Sequence, residues 1–341
     1  MKKVFKVLTL LVICVALTVT VFGCSGKETA TQSSTPEATA SSGAAKVEEV
    51  KKEYRFVMIP ILAQSWFDIV YNASVEAADV LGEQMGTKIT IDYQASPTAD
   101  LVAQNELLER AIATKPDGIA IDCIDVQAQL PILREAINRG IPVVLYASVS
   151  PEGEMIPYIG NDFYEQGAFA GKELLKRIDY KGKVAIIHGV PTNQPHAERY
   201  QAYLDLFAQY PEVEVVATVF DYDDIENAQK EAAAILSAHP DLDAFAVCDA
   251  AGPVGAGIAL KEAGKVGQVK YVGIDDLPQL QVLMQEGVLD LSVATRPNNI
   301  GKWCTTSLLM TNLGIEPVIW YDTKFGLLTP DMVKDGVIKG F

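Results

Sequence analysis

At 341 residues the chain is longer than one hydrophobic core comfortably serves, so two domains are expected. Hydrophobic residues at 49% against 21% charged describe an ordered globular protein and exclude a disordered one. A formal charge of −16 with no basic cluster argues against nucleic-acid binding, and three histidines (His188, His196, His239) without metal-ligand spacing argue against a histidine-rich metal site.

In chain order, Lys2, Lys3 and Lys6 precede an apolar run from Val7 to Phe22, which meets Val21-Phe22-Gly23-Cys24. This N-terminus resembles the signal peptide and lipobox of a bacterial lipoprotein, with a phenylalanine where a small residue is usual. The resemblance implies that residues 1–23 are cleaved, that the Cys24 sulfur carries a lipid, and that the protein is anchored on the extracytoplasmic face of the cell membrane. The alternative is an uncut membrane anchor, for which the run is short. Cleavage would remove three lysines and no acid, leaving 25 basic against 44 acidic side chains and a charge of −19. Residues 24–53 are rich in Ser, Thr, Ala and Glu, contain one proline and no aromatic, and read as a flexible tether. Setting aside Cys14 and Cys24, the remaining Cys123, Cys248 and Cys304 are odd in number and widely spaced, which predicts buried thiols and no disulfide framework.

From about Tyr54, short apolar runs alternate with helical patterns. Strands are expected at Arg55–Pro60, Lys88–Tyr93, Gly118–Ile121 and Pro142–Leu145. A second set is expected at Lys183–His188, Val213–Thr218, Ala244–Val247 and Lys270–Gly273, with helices such as Leu101–Ala113 and Ala228–Ala238 between strands. Alternation of this kind implies parallel sheets with right-handed crossovers. The pattern also repeats. Lys115-Pro116-Asp117-Gly118 and His239-Pro240-Asp241-Leu242 each join a helix to a strand, 124 residues apart, and the starts at Arg55 and Lys183, and at Pro142 and Lys270, are 128 apart. Four βα units occurring twice predict an α/β protein with two similar doubly wound, Rossmann-like parallel-sheet lobes.

Open parallel sheets bind ligands beyond the carboxyl ends of their strands. After the first strand comes Ile61-Leu62-Ala63-Gln64-Ser65-Trp66-Phe67, where an amide beside two aromatics can hydrogen-bond a hydroxyl and cover an apolar ring face. Asp122, Tyr146, Asp249 and Asp275-Asp276 follow other strands, with Arg199 further along, although any single acid there could instead cap a helix. No G-x-S-x-G, Walker loop or G-x-G-x-x-G occurs, and Gly252 to Gly257 has the spacing G-x-x-G-x-G. His188 follows a strand without a neighbouring nucleophile, and both it and His196 read as cleft-edge or surface histidines. No catalytic role, cofactor or metal is expected.

Five stretches carry a family resemblance: Gln64-Ser65-Trp66-Phe67, Gly140-Ile141-Pro142-Val143, Ile159-Gly160-Asn161-Asp162, Ala197-Glu198-Arg199 and Val272-Gly273-Ile274-Asp275. From Arg55 to about Leu328 the chain resembles the type I periplasmic sugar-binding proteins, particularly the ribose-binding group of ABC importers. The resemblance implies two lobes joined by a three-crossing hinge near Asn161-Asp162, Thr295-Arg296 and Lys324-Gly326. The lobes would be 54–160 plus 296–324 and 161–295 plus 325–341. It places Gln64, Trp66, Phe67, Asn161, Arg199, Tyr222 and Asp275 against the ligand. Ala147-Ser148 replace the Asp-Arg pair of ribose binders, Cys248 an asparagine and Thr295 a glutamine, so a neutral sugar other than ribose is expected. The candidate ligand-binding set is therefore Gln64, Trp66, Phe67, Asp122, Tyr146, Asn161, Arg199, Tyr222, Cys248, Asp249, Asp275 and Thr295. A monomer that delivers its sugar to ABC permease subunits is expected. Phe220-Asp221-Tyr222-Asp223 and Cys248-Asp249-Ala250 also resemble autoinducer-2 and rhamnose binders, which keeps an autoinducer-2-like ligand or other polyol as an alternative. A ligand-sensing partner of a membrane kinase or chemoreceptor is a second alternative.

Overall fold

Each expected strand is present in a computed structural model of the chain, which describes residues 49–334. The apolar N-terminal run, Cys24, most of the tether and residues 335–341 lie outside the described residues. The first set comprises β1 (Glu53–Ile59), α1 (Ser65–Met85), β2 (Lys88–Tyr93), α2 (Leu101–Ala113), β3 (Gly118–Ile121), α3 (Val126–Asn138), β4 (Val143–Tyr146) and β5 (Tyr158–Gly160). The second comprises α4 (Phe163–Arg177), β6 (Gly182–His188), α5 (Gln194–Phe207), β7 (Val213–Phe220), α6 (Ile225–Ala238), β8 (Ala244–Val247), α7 (Ala251–Glu262), β9 (Lys270–Tyr271), β10 (Gly273–Ile274), α8 (Pro278–Gln285) and β11 (Ser292–Ala294). The chain then forms α9 (Pro297–Asn312), β12 (Trp320–Asp322), β13 (Gly326–Leu328) and α10 (Pro330–Lys334).

The strands make two equivalent systems. One is a parallel sheet in the order β12-β5-β4-β3-β1-β2. The other is β7-β6-β8-β9, continued beyond the break at Val272 by β10-β11-β13. Strand β12 runs parallel to β5, whereas β13 runs antiparallel to β11, because it enters the second sheet directly from β12 without a helix to turn it round. The central strands β3 and β8 are buried at every residue, as strands covered on both faces require. The chain passes between the two systems after β5, after β11 and between β12 and β13.

The structure corrects one detail of the repeat. Asp117 accepts the Arg55 N–H at 2.8 Å, and the residue doing the same for Lys183 is Asp243, at 2.7 Å, not Asp241. Asp241 instead pairs with the Lys183 ammonium. The equivalent residue is the one immediately before the central strand, since only there does the carboxylate face the start of the neighbouring strand. Helix starts follow from short acids: Asp100, Asp125, Asp162 and Asp224 each accept an amide of the first turn of α2, α3, α4 and α6. Helix α9 returns to α1, where Gly301 lies so close to the Val70 carbonyl that no side chain fits. Cys123, Cys248 and Cys304 are buried free thiols. Among the described residues, no helix is long and apolar enough to cross a membrane.

Candidate binding site

The two sheet systems face each other across a cavity. It lies beyond the carboxyl ends of β1, β3, β4, β6, β7, β8 and β10, the position that parallel sheets reserve for ligands.

The entry to α1 builds one wall. Gln64 precedes the helix with an extended backbone and a side chain that does not cap it, which leaves the amide free to point away. Its Nε2–H donates to the Asp223 carbonyl across the cavity at 3.3 Å, and its buried Oε1 has no partner. Trp66 and Phe67 meet edge to face, ring centroids 4.9 Å apart, and Ile61 and Ala147 extend this apolar wall. The indole N–H of Trp66 donates to Thr295 Oγ1 at 2.8 Å, and that hydroxyl donates in turn to Asp275. Asp122, after β3, adds a carboxylate pushed upward by burial, partly offset by bonds from Asn193 and Ser148.

The entry to α5 builds the facing wall. Asn193 stands where Gln64 stands in the first repeat, again without capping its helix. Its Nδ2–H reaches back to Asp122 Oδ1 at 3.5 Å and the Cys123 carbonyl at 3.3 Å. Each system thus sends one helix-entry amide across to the other. The Val149 N–H adds a third bond, to Gln194 Oε1 at 2.8 Å. One turn on, Arg199 is only 3% exposed. Its Nε–H and Nη2–H both donate to Gln166 Oε1 at 3.0 and 2.9 Å, Nη1–H donates to the Cys248 carbonyl at 2.8 Å, and the guanidinium lies 4.9 Å from the centre of the Phe163 ring. His196 accepts the Val190 N–H on Nδ1, and burial, then the Arg199 charge, hold it well below the ordinary histidine range, so it is a neutral imidazole.

Three cavity residues sit in left-handed backbone just after strands: Ala147 (φ 59°), Asp223 (φ 60°) and Asp275 (φ 64°). The reversal turns the chain back over the strand end; at Ala147, which lacks the local bonding that favours aspartate there, it costs about 1 kcal/mol. Behind Asp223 lie Asp221 and Asp249, both fully buried. Burial raises all three carboxyl groups, Asp221 to about 7. Such a site combines ring faces for C–H surfaces, carboxyl acceptors and a fixed guanidinium donor.

The sequence profile of the periplasmic binding protein domain matches residues 56–311. The chain belongs to the periplasmic binding protein family. Curated relatives of this binding protein include the D-ribose/D-allose-binding protein of Pseudomonas aeruginosa, 26% identical over 249 residues that make up 70% of this chain and 73% of the relative. The D-allose-binding periplasmic protein of Escherichia coli is 26% identical over 260 residues, 73% of this chain and 81% of the relative. Among solved structures, an ABC transporter solute-binding protein from Burkholderia graminis in complex with D-arabinose superposes with a TM-score of 0.76 at 24% identity, covering 84% of this chain and 98% of that one.

Within the binding protein, Gln64, Trp66, Phe67, Asp122, Arg199, Asp275 and Thr295 line the cavity. Five other sequence candidates do not. Tyr222 is 55% exposed, because the turn that aims Asp223 inward throws its neighbour outward. Tyr146 points into the core, Asn161 turns to Gln166, and Cys248 contributes its carbonyl to Arg199 while its thiol is buried. Asp249 accepts the Gly252 N–H and so caps the start of α7. Trp66 is 6% exposed and belongs to the core as well as to the cavity wall. His196, expected at the cleft edge, is a buried lining residue, and His188 is buried against Tyr200 and Phe220. The sequence reading missed Phe163, Asn193, Pro195, Asp223 and Ala250. A helix-entry asparagine with a first-strand counterpart at Gln64 was the available signal for Asn193.

Proposed function

We propose that this chain is the extracytoplasmic solute-binding lipoprotein of an ABC importer and that it captures a small neutral sugar in the cavity for delivery to the permease. The observation that carries the reading is the convergence of Trp66, Phe67 and Phe163 with Arg199, Asp122, Asp223 and Asp275 around one cavity, ring faces beside charged hydrogen-bonding groups. Its relatives' names, D-ribose/D-allose-binding and D-allose-binding, support a monosaccharide. Ala147-Ser148 and Thr295 argue against ribose itself: Thr295 spends its hydroxyl on Trp66 and Asp275, and Ala147 offers a ligand no polar group. Gln64, Asn193 and Gln194 bridge the two systems directly, which supports closure of lobes 54–160 plus 296–324 and 161–295 plus 325–341 over the sugar.

A thermal-shift screen against aldohexoses, pentoses, inositols and autoinducer-2 tests the ligand class. A neutral monosaccharide at about 100 times its Kd adds roughly 2.7 kcal/mol of stability. A panel in which only autoinducer-2 or no compound raises Tm overturns the sugar reading. The anchor rests on Cys24: palmitate labelling in a bacterial host is expected for the wild type and lost in Cys24→Ala, and label retained by the variant removes it.

A further inference from the structure

Arg199 is almost fully buried, yet among the described residues it forms no ion pair. A desolvated guanidinium is costly unless its N–H groups are met, and here neutral oxygens meet them. The chief acceptor is Gln166, which has no exposure and does not line the cavity. Its single Oε1 takes Arg199 Nε–H, Arg199 Nη2–H and Asn161 Nδ2–H, at 3.0, 2.9 and 3.1 Å. Its Nε2–H donates to the Val293 carbonyl on β11 at 2.8 Å. One amide thereby joins α4, α5, the crossing after β5 and the strand that leads into the crossing at Thr295. The neighbouring Gly167 makes the reach feasible, since a Cβ there would stand 2.7 Å from the Arg199 Cα and push α5 away.

We propose that Gln166 is the positioning residue that fixes the plane of the Arg199 guanidinium toward the cavity and ties it to two of the three chain crossings. The fork geometry supports this. Two donors converging on one oxygen set the guanidinium plane, and the third bond, to Cys248, leaves the remaining N–H groups to address a ligand. A neutral amide suits the task better than a carboxylate, because it leaves the guanidinium charge unspent for hydroxyl oxygens. The assignment deepens the sugar-binding reading and rests on it where affinity is concerned.

Two measurements test it. The first needs no sugar: in 15N spectra, a slowly exchanging Nε–H signal, assigned by its absence in Arg199→Lys, is expected in the wild type, retained in Gln166→Glu and lost in Gln166→Met. Its persistence in Gln166→Met overturns the positioning role. The second is calorimetric titration with D-allose. Gln166→Met is expected to bind about 10-fold or more weakly, Gln166→Glu, which keeps the acceptor but spends part of the guanidinium charge and loses the bond to Val293, to recover only part of that, and Gln166→Met to add no loss in an Arg199→Met background. Equal losses in both backgrounds, in variants that melt like the wild type, overturn action through Arg199. If wild-type protein binds no sugar of the screen, the sugar reading falls while the Nε–H signal still decides the positioning role.

Discussion

The entries to α1 and α5 occupy the same place in the two repeats but carry different chemistry. Both begin with an amide that leaves its helix uncapped and crosses to the other sheet system: Gln64 to Asp223, and Asn193 to Asp122 and Cys123. After that they diverge. The first presents Trp66 and Phe67, anchored by area and by one bond to Thr295, while the second presents Pro195, His196 and Arg199, held by a web of hydrogen bonds. One duplicated scaffold thus provides an apolar wall, which tolerates many ring shapes, and a polar wall, where an unmatched hydroxyl leaves a buried group unpaired.

The largest test of this division is Arg199→Ala, which removes the donor of the polar wall and leaves Gln166 Oε1 and the Cys248 carbonyl short of partners. An affinity loss of about 3 kcal/mol, on the scale of buried anchors, is expected by calorimetry. Affinity near wild type would show that the second wall does not select the sugar. On the apolar side, Trp66→Ala should weaken binding by about 2 kcal/mol. Because the indole is also core, it should lower stability by roughly 3–5 kcal/mol. Trp66→Phe keeps an aromatic face but gives up part of the indole's area together with the bond to Thr295, so a smaller cost, about 1 kcal/mol of affinity, is expected.

The acids of the second system give a pH test. Asp221 is raised from 3.8 to about 7, chiefly by burial. Between these values the folded protein holds a proton that the unfolded chain has released, so this group's contribution is most favourable below about pH 4 and is lost as pH rises through 7. Asp221→Asn stays neutral throughout. Its Tm relative to wild type is expected to climb by a few degrees between about pH 5 and pH 8. A Tm difference that does not change with pH would mean that Asp221 ionises freely in the folded state.

The smallest effects separate neighbours. His196→Ala, at a buried lining position, should cost about 1 kcal/mol of affinity, whereas Tyr222→Ala, outside the cavity, should stay within about 0.5 kcal/mol. The opposite order would mean that the turn at residues 221–223 is inverted when sugar binds.

Strands and repeats were legible because their signals are local. Apolar runs with β-branched residues, helical spacing such as that of Leu101–Ala113, and a recurring offset near 128 residues follow from backbone and burial rules that act over a few residues. The short strands β5, β12 and β13 carried too little pattern to be read, since three residues show no periodicity and their pairing is decided by distant chain.

The sequence by itself determined the doubly wound class, the duplication, and the strand ends where ligand chemistry gathers. It also exposed Gln64, Trp66 and Phe67 as candidates, because an amide beside two aromatics just past a strand suits a sugar, and Arg199 through the family resemblance. Only the tertiary structure decided which side of each turn faces inward. Two successive left-handed residues, Tyr222 and Asp223, turn the chain so that Asp223 faces in and Tyr222 out, and no local rule announces it. Tertiary structure alone also revealed Gln166, a helix glutamine like many others in sequence. Its role arises from three N–H groups, two of Arg199 and one of Asn161, converging on one oxygen, and convergence is a property of packing, not of spacing.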